Sequence, residues 1–189
     1  MTVKRVEVLA YAKINLMLDI ICRRTDGYHD LFMIMQSVGV ADRVTVEREP
    51  GRKLRLTASM DDIPLDDKNI AWKAAALFFK TIGLRRPGLH IHLEKHIPHA
   101  AGLAGGSADG AAVLVALNRL MGTDLSTDQL CAIGVQIGAD VPFCIVGGTC
   151  LAQGIGEVLS PLKPMPSCHI VLAKPDFGVN TGKAYGLFD

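Results

Sequence analysis

The sequence predicts an α+β fold in which an open sheet is backed by helices within a single domain. Strand patterns come first, helical patterns follow and strand patterns return, without the regular rhythm of a βαβ protein. A chain of 189 residues is long enough for one ordinary domain with a core. Its 49% hydrophobic and 21% charged residues are typical of a folded protein rather than a disordered one.

The strand patterns are runs rich in β-branched or alternating apolar residues. The period of two is clearest from Val44 to Arg48, where apolar and polar residues alternate. The predicted strands cover residues 3–12, 14–22, 31–38, 42–49, 53–58, 89–94, 149–153 and 168–173. A polar turn that contains glycine, residues 24–29, lies between the second and third strands.

Three segments have helical patterns. Residues 69–81 carry apolar side chains at helical spacing and stop before Gly83. Residues 108–121 are rich in alanine, which favours helix. Ser126 followed by Gln129 is a capping box that predicts a third helix, running to about residue 137.

The charge and the cysteines exclude several classes of function. A net charge of +1 gives no broad field to attract nucleic acid or an anionic membrane. Five cysteines without a C-x-x-C pair indicate reduced thiols, which favours a cytoplasmic location. The apolar N-terminal stretch is interrupted by Lys13, Asn15 and Asp19, so it is neither a signal peptide nor a membrane span.

The strongest local signal is a glycine-rich segment, residues 98–109, that runs into the alanine-rich helix. Gly102, Gly105 and Gly106 let the backbone approach a ligand, and the helix N-terminus favours an anion such as the phosphates of a nucleotide. An N-cap turn with glycines for tight packing is the alternative. Neither a Walker A lysine nor a dinucleotide G-x-G-x-x-G is present, and Asp109 stands where a nucleophile elbow needs glycine.

Two charged residues lie within apolar segments. Lys13 and Asn15 are two apart in one strand, so their side chains project to one face, and a solvated edge strand is the alternative reading. Asp140 lies beside an apolar run, where a turn or helix-cap aspartate is the alternative.

Four of the six histidines fall within ten residues: His90, His92, His96 and His99. His90 and His92 are expected on one strand face. We interpret the four as solvated or hydrogen-bonded imidazoles rather than as zinc ligands.

Residues 98–108, PHAAGLAGGSA, resemble the Pro-x3-Gly-Leu-x-Gly-Ser-Ser motif of the GHMP kinase superfamily. The blocks AYAKINLML (10–18), TDGYHDL (25–31) and GADVPF (138–143) extend the resemblance over essentially the whole chain. It implies the GHMP-kinase N-terminal domain fold, like domain 2 of ribosomal protein S5, with a mostly antiparallel sheet backed by helices across residues 1–189. Family members continue into a second domain, so the last ten or so residues are expected at that junction. The surface left uncovered is expected to be apolar and to form a homodimer.

The resemblance implies that ATP, with Mg²⁺, phosphorylates the hydroxyl of a small molecule. The DGYH turn after the K-I-N strand points, within the family, to a substrate with a cytidine diphosphate moiety in non-mevalonate isoprenoid precursor biosynthesis. It assigns catalysis to Lys13 and Asp140, and substrate binding to Asn15, Tyr28, His29 and again Asp140. It assigns nucleotide binding to Asn69, Lys95, Pro98, Ala100, Ala101, Gly102, Leu103, Ala104, Gly105, Gly106, Ser107 and Ala108.

Two alternatives stay open: a truncated nucleotide-binding module without turnover, and a kinase of the same family for another alcohol such as homoserine or mevalonate. The sequence also departs from the family motif. Ala108 replaces the second serine, and Ala100 and Ala101 replace glycines. Gly110 replaces an alanine and is expected to cost the helix about 1 kcal/mol.

Overall fold

The computed structural model of the chain describes residues 3–174, which form one six-stranded sheet with helices packed against it. In chain order the elements are β1 (Arg5–Arg23), β2 (His29–Glu49), β3 (Leu54–Ala58), α1 (Ile70–Ile82), β4 (Gly88–Glu94), α2 (Gly105–Met121), α3 (Thr127–Gly134), α4 (Val141–Val146), β5 (Thr149–Gly154) and β6 (Val158–Pro161). Strands, then helices, then strands is the α+β order that the sequence predicts.

The sheet is organised around β2, which is 21 residues long. β1 runs antiparallel along one edge of β2 for nearly its whole length. Along the other edge, β4 pairs with the C-terminal part of β2 and β5 with the N-terminal part. β6 continues antiparallel from β5, whereas β3 pairs with β4 in parallel. The sheet is therefore mostly antiparallel, and β1 is an edge strand.

The main core lies between the sheet and the helices α1 and α2. Alternate strand residues, such as Val44 and Val46 in β2 and Ile91 in β4, are fully buried. They belong to one cluster with Phe78 of α1 and Leu117 of α2. A smaller cluster near β5 and α4 consists of Leu31, Met33, Met35, Phe143, Cys150 and Ala152.

The start of α2 passes close to the start of α1 because position 110 is glycine. A Cβ atom on Gly110 would lie 2.6 Å from Cγ2 of Ile70, closer than real Cβ contacts. The sequence predicts only the helix-propensity cost of this glycine. The structure adds the reason for it: the contact between the two helices requires a residue without a side chain.

The strands β1 and β2 are continuous where the sequence predicts breaks, at Lys13 and at residues 39–41. Register shifts between Tyr11 and Lys13, between Asn15 and Met17, and between Ile20 and Cys22 interrupt the ladder without ending the strand. Such bulges absorb an extra residue and bend the strand. The irregular apolar pattern of β1 reflects these bulges rather than strand ends.

The predicted strand at residues 168–173 is wrong, because these residues have no regular secondary structure. Within residues 3–174 no strand pairs with them, and Val171 is 92% exposed. An isolated strand has no ladder to stabilise it.

Helix boundaries also differ from the prediction, since α2 begins three residues earlier, at Gly105, and α3 ends earlier, at Gly134. The sequence analysis missed the short elements α4 and β6.

The expected junction in the last ten or so residues lies outside the described part. Among residues 3–174, no helix combines the length and the apolar character that crossing a bilayer requires.

Candidate active site

The segment that we call the glycine loop, residues 98–108, leaves β4 and becomes the first turn of α2. Its backbone turns through positive φ angles of 52° at Ala100, 71° at Gly102 and 57° at Ala104. Ala104 is the N-cap of α2, and its side chain offers no hydrogen bond to the first helical amides. Those N–H groups lack intrahelical acceptors and lie at the positive end of the helix dipole, which makes them suited to an anion.

Two alanines of the glycine loop hold backbone conformations that glycine adopts more easily. For an L-residue such as Ala100 or Ala104, the left-handed region costs roughly 1–2 kcal/mol relative to the right-handed one. Ala100 is also one of the positions where the sequence departs from the family glycines. Backbone strain of this size is typical of ligand-binding segments.

Lys13 is buried beside the glycine loop although it belongs to an edge strand. The bulge after Tyr11 places Ala12 and Lys13 inward together, and the Lys13 side chain is only 8% exposed. Its backbone N–H donates to the carbonyl oxygen of Leu103 at 3.1 Å. Its ammonium donates to Oδ1 of Asn15 at 3.2 Å. The alternative reading of a solvated lysine is therefore wrong.

Asp140 approaches the same ammonium from α4. Its Oδ1 lies 3.8 Å from Nζ of Lys13, and its side chain is 35% exposed. Asp140 occupies the N-cap position of α4, as the alternative reading proposed, but its carboxylate makes no capping hydrogen bond. A Cβ atom on Gly138 would lie 3.8 Å from Oγ of Ser107, so the segment before α4 adjoins the glycine loop. An amine, an available carboxylate and a helix N-terminus thus converge.

Lys95 belongs to a buried cluster next to the glycine loop. Its ammonium contacts Asp42 of β2 and, at 2.5 Å, Asp109 of α2. The side chains of Lys95, Asp42 and Asp109 are 6%, 0% and 3% exposed. Asp42 also accepts hydrogen bonds from the N–H groups of His96 and Ile97, at 2.5 and 2.8 Å. The predicted nucleotide-site lysine is therefore held by two carboxylates that the sequence analysis did not identify.

Asp109 is the least satisfied member of this cluster. Burial raises the pKa of its carboxyl to about 7; the nearby Lys95 opposes this shift and the Asp42 charge adds to it. Among the described residues, Oδ1 of Asp109 has no hydrogen-bond partner. The sequence signal for Asp109 was a carboxylate at the start of an otherwise apolar helix.

Asn69 lies at the N-terminus of α1 and is 8% exposed. Its Oδ1 accepts from the N–H of Ala71 at 2.9 Å, and its Nδ2 donates to the carbonyl oxygen of Pro64 at 2.7 Å. One polar atom of the predicted nucleotide-site amide therefore caps α1, and the other binds the loop before it.

Tyr28 and His29 stand at the closed end of the β1–β2 hairpin. Arg24 fixes this turn through ion pairs with Asp26 at 3.0 Å and Asp30 at 2.9 Å. The N–H of Tyr28 donates to Oδ1 of Asp26 at 3.0 Å, and the hydrogen bonds from Arg24 and Tyr28 lower the pKa of Asp26. Tyr28 itself is 58% exposed, so its ring is open to a ligand.

The hairpin separates this turn from Lys13. Arg23 and His29 pair at its closed end, whereas Lys13 pairs with Ser37 ten residues back along β1. That contour is about 33 Å for a straight strand at ~3.3 Å per residue. The bulges bend the strand and shorten the direct path. The structure therefore places the predicted cytidine and phosphoryl-transfer residues at two ends of one hairpin segment.

Cys144 lies one turn after Asp140 in α4, a position that the sequence analysis did not single out. Burial raises the pKa of its thiol to about 12, and the charge of Asp140 adds to this. The thiol therefore stays protonated, as a neutral neighbour of the Lys13–Asp140 pair.

Three of the four clustered histidines have hydrogen-bond contacts. Thr57 Oγ1 lies 2.7 Å from Nε2 of His90 and 2.8 Å from Nδ1 of His92, and His96 contacts Glu94 at 3.2 Å. In the described part of the chain, no three His, Cys, Asp or Glu side chains are grouped so as to hold a metal ion.

A protein-family model matches the central part of the chain. Residues 69–148, which include the glycine loop and Asp140, match the family described as GHMP kinases N terminal domain. Over this segment the chain is similar to GHMP kinases, and the described residues have the fold of their N-terminal domain.

Within that family, the similar curated proteins are named 4-diphosphocytidyl-2-C-methyl-D-erythritol kinase. The one from Clostridium acetobutylicum is 50% identical over 182 residues, which cover 96% of this chain and 64% of the relative. The one from Caldicellulosiruptor saccharolyticus is 48% identical over 180 residues, covering 95% of this chain and 62% of the relative. The chain thus spans less than two thirds of the length of these relatives.

Solved kinase structures are similar to this chain in fold. A crystal structure of 4-(cytidine 5'-diphospho)-2C-methyl-D-erythritol kinase is 41% identical, with a TM-score of 0.70 over 83% of this chain and 55% of that chain. Homoserine kinase from Cytophaga hutchinsonii has a TM-score of 0.72 over 98% of this chain and 60% of that chain. At 21% identity the second likeness shows the fold alone.

Proposed function

We propose that this chain supplies the ATP-binding and catalytic domain of a kinase that phosphorylates the 2-hydroxyl of 4-diphosphocytidyl-2-C-methyl-D-erythritol. This reaction is a step of non-mevalonate isoprenoid precursor biosynthesis. The observation that carries the proposal is the Lys13–Asp140 pair, whose charged atoms lie 3.8 Å apart. Lys13 belongs to β1, and its backbone N–H donates to the glycine loop. The names of the similar curated proteins supply the substrate.

The residues divide the chemistry between them. The exposed carboxylate of Asp140 accepts the proton of the substrate hydroxyl or orients that hydroxyl. Lys13 faces this carboxylate and would stabilise negative charge on the transferred phosphoryl group. Phosphoryl transfer asks a protein mainly for positioning and charge stabilisation, and both can come from these two side chains and the first amides of α2.

ATP supplies the phosphoryl group, and Mg²⁺ neutralises charge on its phosphates. The amides at the start of α2 would hold the phosphates, since Ala104 leaves them without a side-chain cap. Without a dedicated cluster of metal ligands in residues 3–174, the cation would be held by nucleotide oxygens and water, as Mg²⁺ commonly is. Asn69 and Lys95 would shape the nucleotide side of the cleft from their buried positions.

The cytidine end of the substrate would meet the DGYH turn. Tyr28 offers an exposed ring for stacking on a pyrimidine, and the neighbouring His29 can hydrogen-bond to its edge. Asn15, which accepts from the Lys13 ammonium, would face the substrate between the two ends. A substrate in which a diphosphate separates the base from the alcohol could reach both the DGYH turn and the Lys13–Asp140 pair.

The test is an assay of the purified chain with ATP, Mg²⁺ and the diphosphocytidyl substrate, with homoserine and mevalonate as competing alcohols. Turnover of the diphosphocytidyl substrate above both alcohols is expected. Nucleotide binding without turnover would identify a binding module instead, and a preference for another alcohol would contradict the substrate.

We also propose that the chain self-associates through exposed apolar residues of the hairpin. Leu16, Leu18 and Ile21 of β1 are 47%, 42% and 59% exposed. Sedimentation velocity is expected to show dimers at high concentration, whereas a monomer throughout would contradict this.

The cysteines of the described residues are free thiols, which fits the proposed cytoplasmic location.

A further inference from the structure

The cluster of Asp42, Lys95 and Asp109 holds two carboxylates and one ammonium almost out of contact with solvent. Asp42 has three donors: the Lys95 ammonium and the N–H groups of His96 and Ile97. Asp109 shares the same ammonium through Oδ2, and its Oδ1 lacks a hydrogen-bond partner within residues 3–174. Two buried negative charges for one positive charge is an unfavourable balance, and Asp109 is the member with the fewest partners.

This cluster lies directly against the place where the proposed nucleotide phosphates bind. A Cβ atom on Gly105, the first residue of α2, would lie 3.6 Å from Nζ of Lys95. Asp109 follows Gly105 by one helical turn, a rise of about 6 Å. A phosphate at the first amides of α2 would therefore have the Lys95 ammonium and the Asp109 carboxylate as close neighbours.

The residues around Asp109 come from several elements. Asp42 belongs to β2 and Lys95 follows β4. Cys144 of α4 feels the charge of Asp109 and also that of Lys13 on β1. The nearest α1 residue at this turn, Ile70, is apolar. Lys95 is thus the cation in contact with Asp109 in the described residues, and it also lies beside the proposed phosphate position.

We propose that Asp109 is a positioning residue of the nucleotide site and takes up a proton on Oδ1 when nucleotide phosphates bind to the glycine loop. The proposal rests on the proposed function, since it requires a nucleotide at that loop. An incoming phosphate attracts the Lys95 ammonium away from Asp109 and adds negative charge beside it. Both effects favour an O–H bond on Oδ1, with the proton supplied by the buffer. Because the pKa of Asp109 lies at about 7 without ligand, its carboxylate is available to take up that proton near pH 8.

The experiment is isothermal titration of the chain with ADP and Mg²⁺ at pH 8, in buffers of low and high ionisation enthalpy. The dependence of the binding enthalpy on the buffer measures proton uptake, and about half to one proton is expected for the natural chain. Asp109→Asn is expected to bind ADP with uptake close to zero. Asp128→Asn, which changes an exposed carboxylate of α3, is the matched control and is expected to behave like the natural chain.

Proton uptake also predicts a pH profile of affinity. The affinity of the natural chain for ADP is expected to fall by up to about tenfold per pH unit above pH 7, and that of Asp109→Asn to stay level. A merely structural role of Asp109 would change the affinity without flattening this profile.

Binding without buffer dependence in the natural chain would overturn the inference and leave the proposed function standing. Equal uptake in Asp109→Asn would also overturn it. If Asp109→Asn does not fold, the test is a pH titration by NMR of the natural chain, in which the aspartate carboxyl carbons are labelled with ¹³C. A buried carboxyl that titrates near pH 7 and moves to higher pH with ADP supports the inference, and no such signal overturns it. Absence of ADP binding would overturn the proposed function together with this inference.

Discussion

Two buried lysines flank the glycine loop, and their surroundings differ. Lys13 has one carboxylate, Asp140, at 3.8 Å, and that carboxylate is about one third exposed. Lys95 is enclosed by Asp42 and Asp109, both nearly inaccessible to solvent. The Lys13–Asp140 pair is widely spaced and partly open to solvent, whereas the contacts of Lys95 are short and almost closed to solvent. The two kinds of lysine should therefore respond differently to the loss of a partner.

The largest expected effect is on turnover, from Asp140→Asn. Loss of the carboxylate removes the proposed proton acceptor but no capping interaction, so kcat should fall by about 10²–10⁴-fold. ADP affinity should change little. The urea midpoint of unfolding should fall only modestly, because the ion pair lost is long and partly exposed and Lys13 keeps Asn15 as a hydrogen-bond acceptor. Steady-state kinetics with the diphosphocytidyl substrate, beside Asp128→Asn as the control, measure this. Turnover like that of the natural chain would show that Asp140 is not the acceptor.

The next largest effect is on stability, from Lys95→Met. Without the ammonium, Asp42 and Asp109 are two buried carboxylates without a cation, which costs on the order of 3 kcal/mol at pH 8. At pH 5 the loss should be smaller, because a carboxyl that is protonated in the folded state is favoured as the pH falls. Urea unfolding at both pH values tests this, with Lys73→Met on the exposed face of α1 as the control. An equal loss at both pH values would contradict the buried-charge explanation.

Asp109→Asn should remove a pH dependence of stability. The pKa of Asp109 is about 7 in the folded chain, against about 3.9 in an unfolded one. A raised carboxyl pKa contributes stability that is present below pH 4 and is lost as the pH rises to 7. Relative to the natural chain, the variant should therefore gain on the order of 1–3 kcal/mol between pH 4.5 and 7.5. Chemical unfolding across this range measures the gain, and parallel curves for the two proteins would refute it.

The smallest expected effect concerns the helix contact beside these charges. Gly110→Ala should improve helix propensity by about 1 kcal/mol but place Cβ against Cγ2 of Ile70, which costs about 1–3 kcal/mol. A net loss of about 1 kcal/mol in unfolding free energy is expected. Ile70→Leu in the same chain removes that methyl group and should restore stability. A more stable Gly110→Ala single variant would show that the helices can move apart.

The sequence predicted one of the two lysine sites far better than the other. Residues 98–108 and 138–143, with the K-I-N strand, carry the family resemblance that assigns roles to Lys13 and Asp140. Asp42, Lys95 and Asp109 lie on a central strand, at the end of another strand and on a helix. These three residues are far apart in the sequence and share no local pattern. Only the fold brings the carboxylates of Asp42 and Asp109 to the ammonium of Lys95.

The strand predictions show a similar division. The period of two in residues 44–48 matches a strand whose neighbours lie on both edges. The apolar run at 168–173 has a comparable composition but no neighbouring strand within the described residues. Strand pattern reports that a segment can pair, whereas pairing itself depends on a partner elsewhere in the chain. The bulges of β1 could not be predicted from its own sequence for a related reason, because register depends on two paired strands.

The hydrogen bond from the N–H of Lys13 to the carbonyl oxygen of Leu103 joins backbone to backbone. This bond links β1 to the segment that precedes α2. If that segment rearranges around a ligand, the backbone of Lys13 is expected to move with it. Side chains at either end can be exchanged without breaking this link. Alanines can therefore stand at positions 100, 101 and 104 while this backbone link is kept.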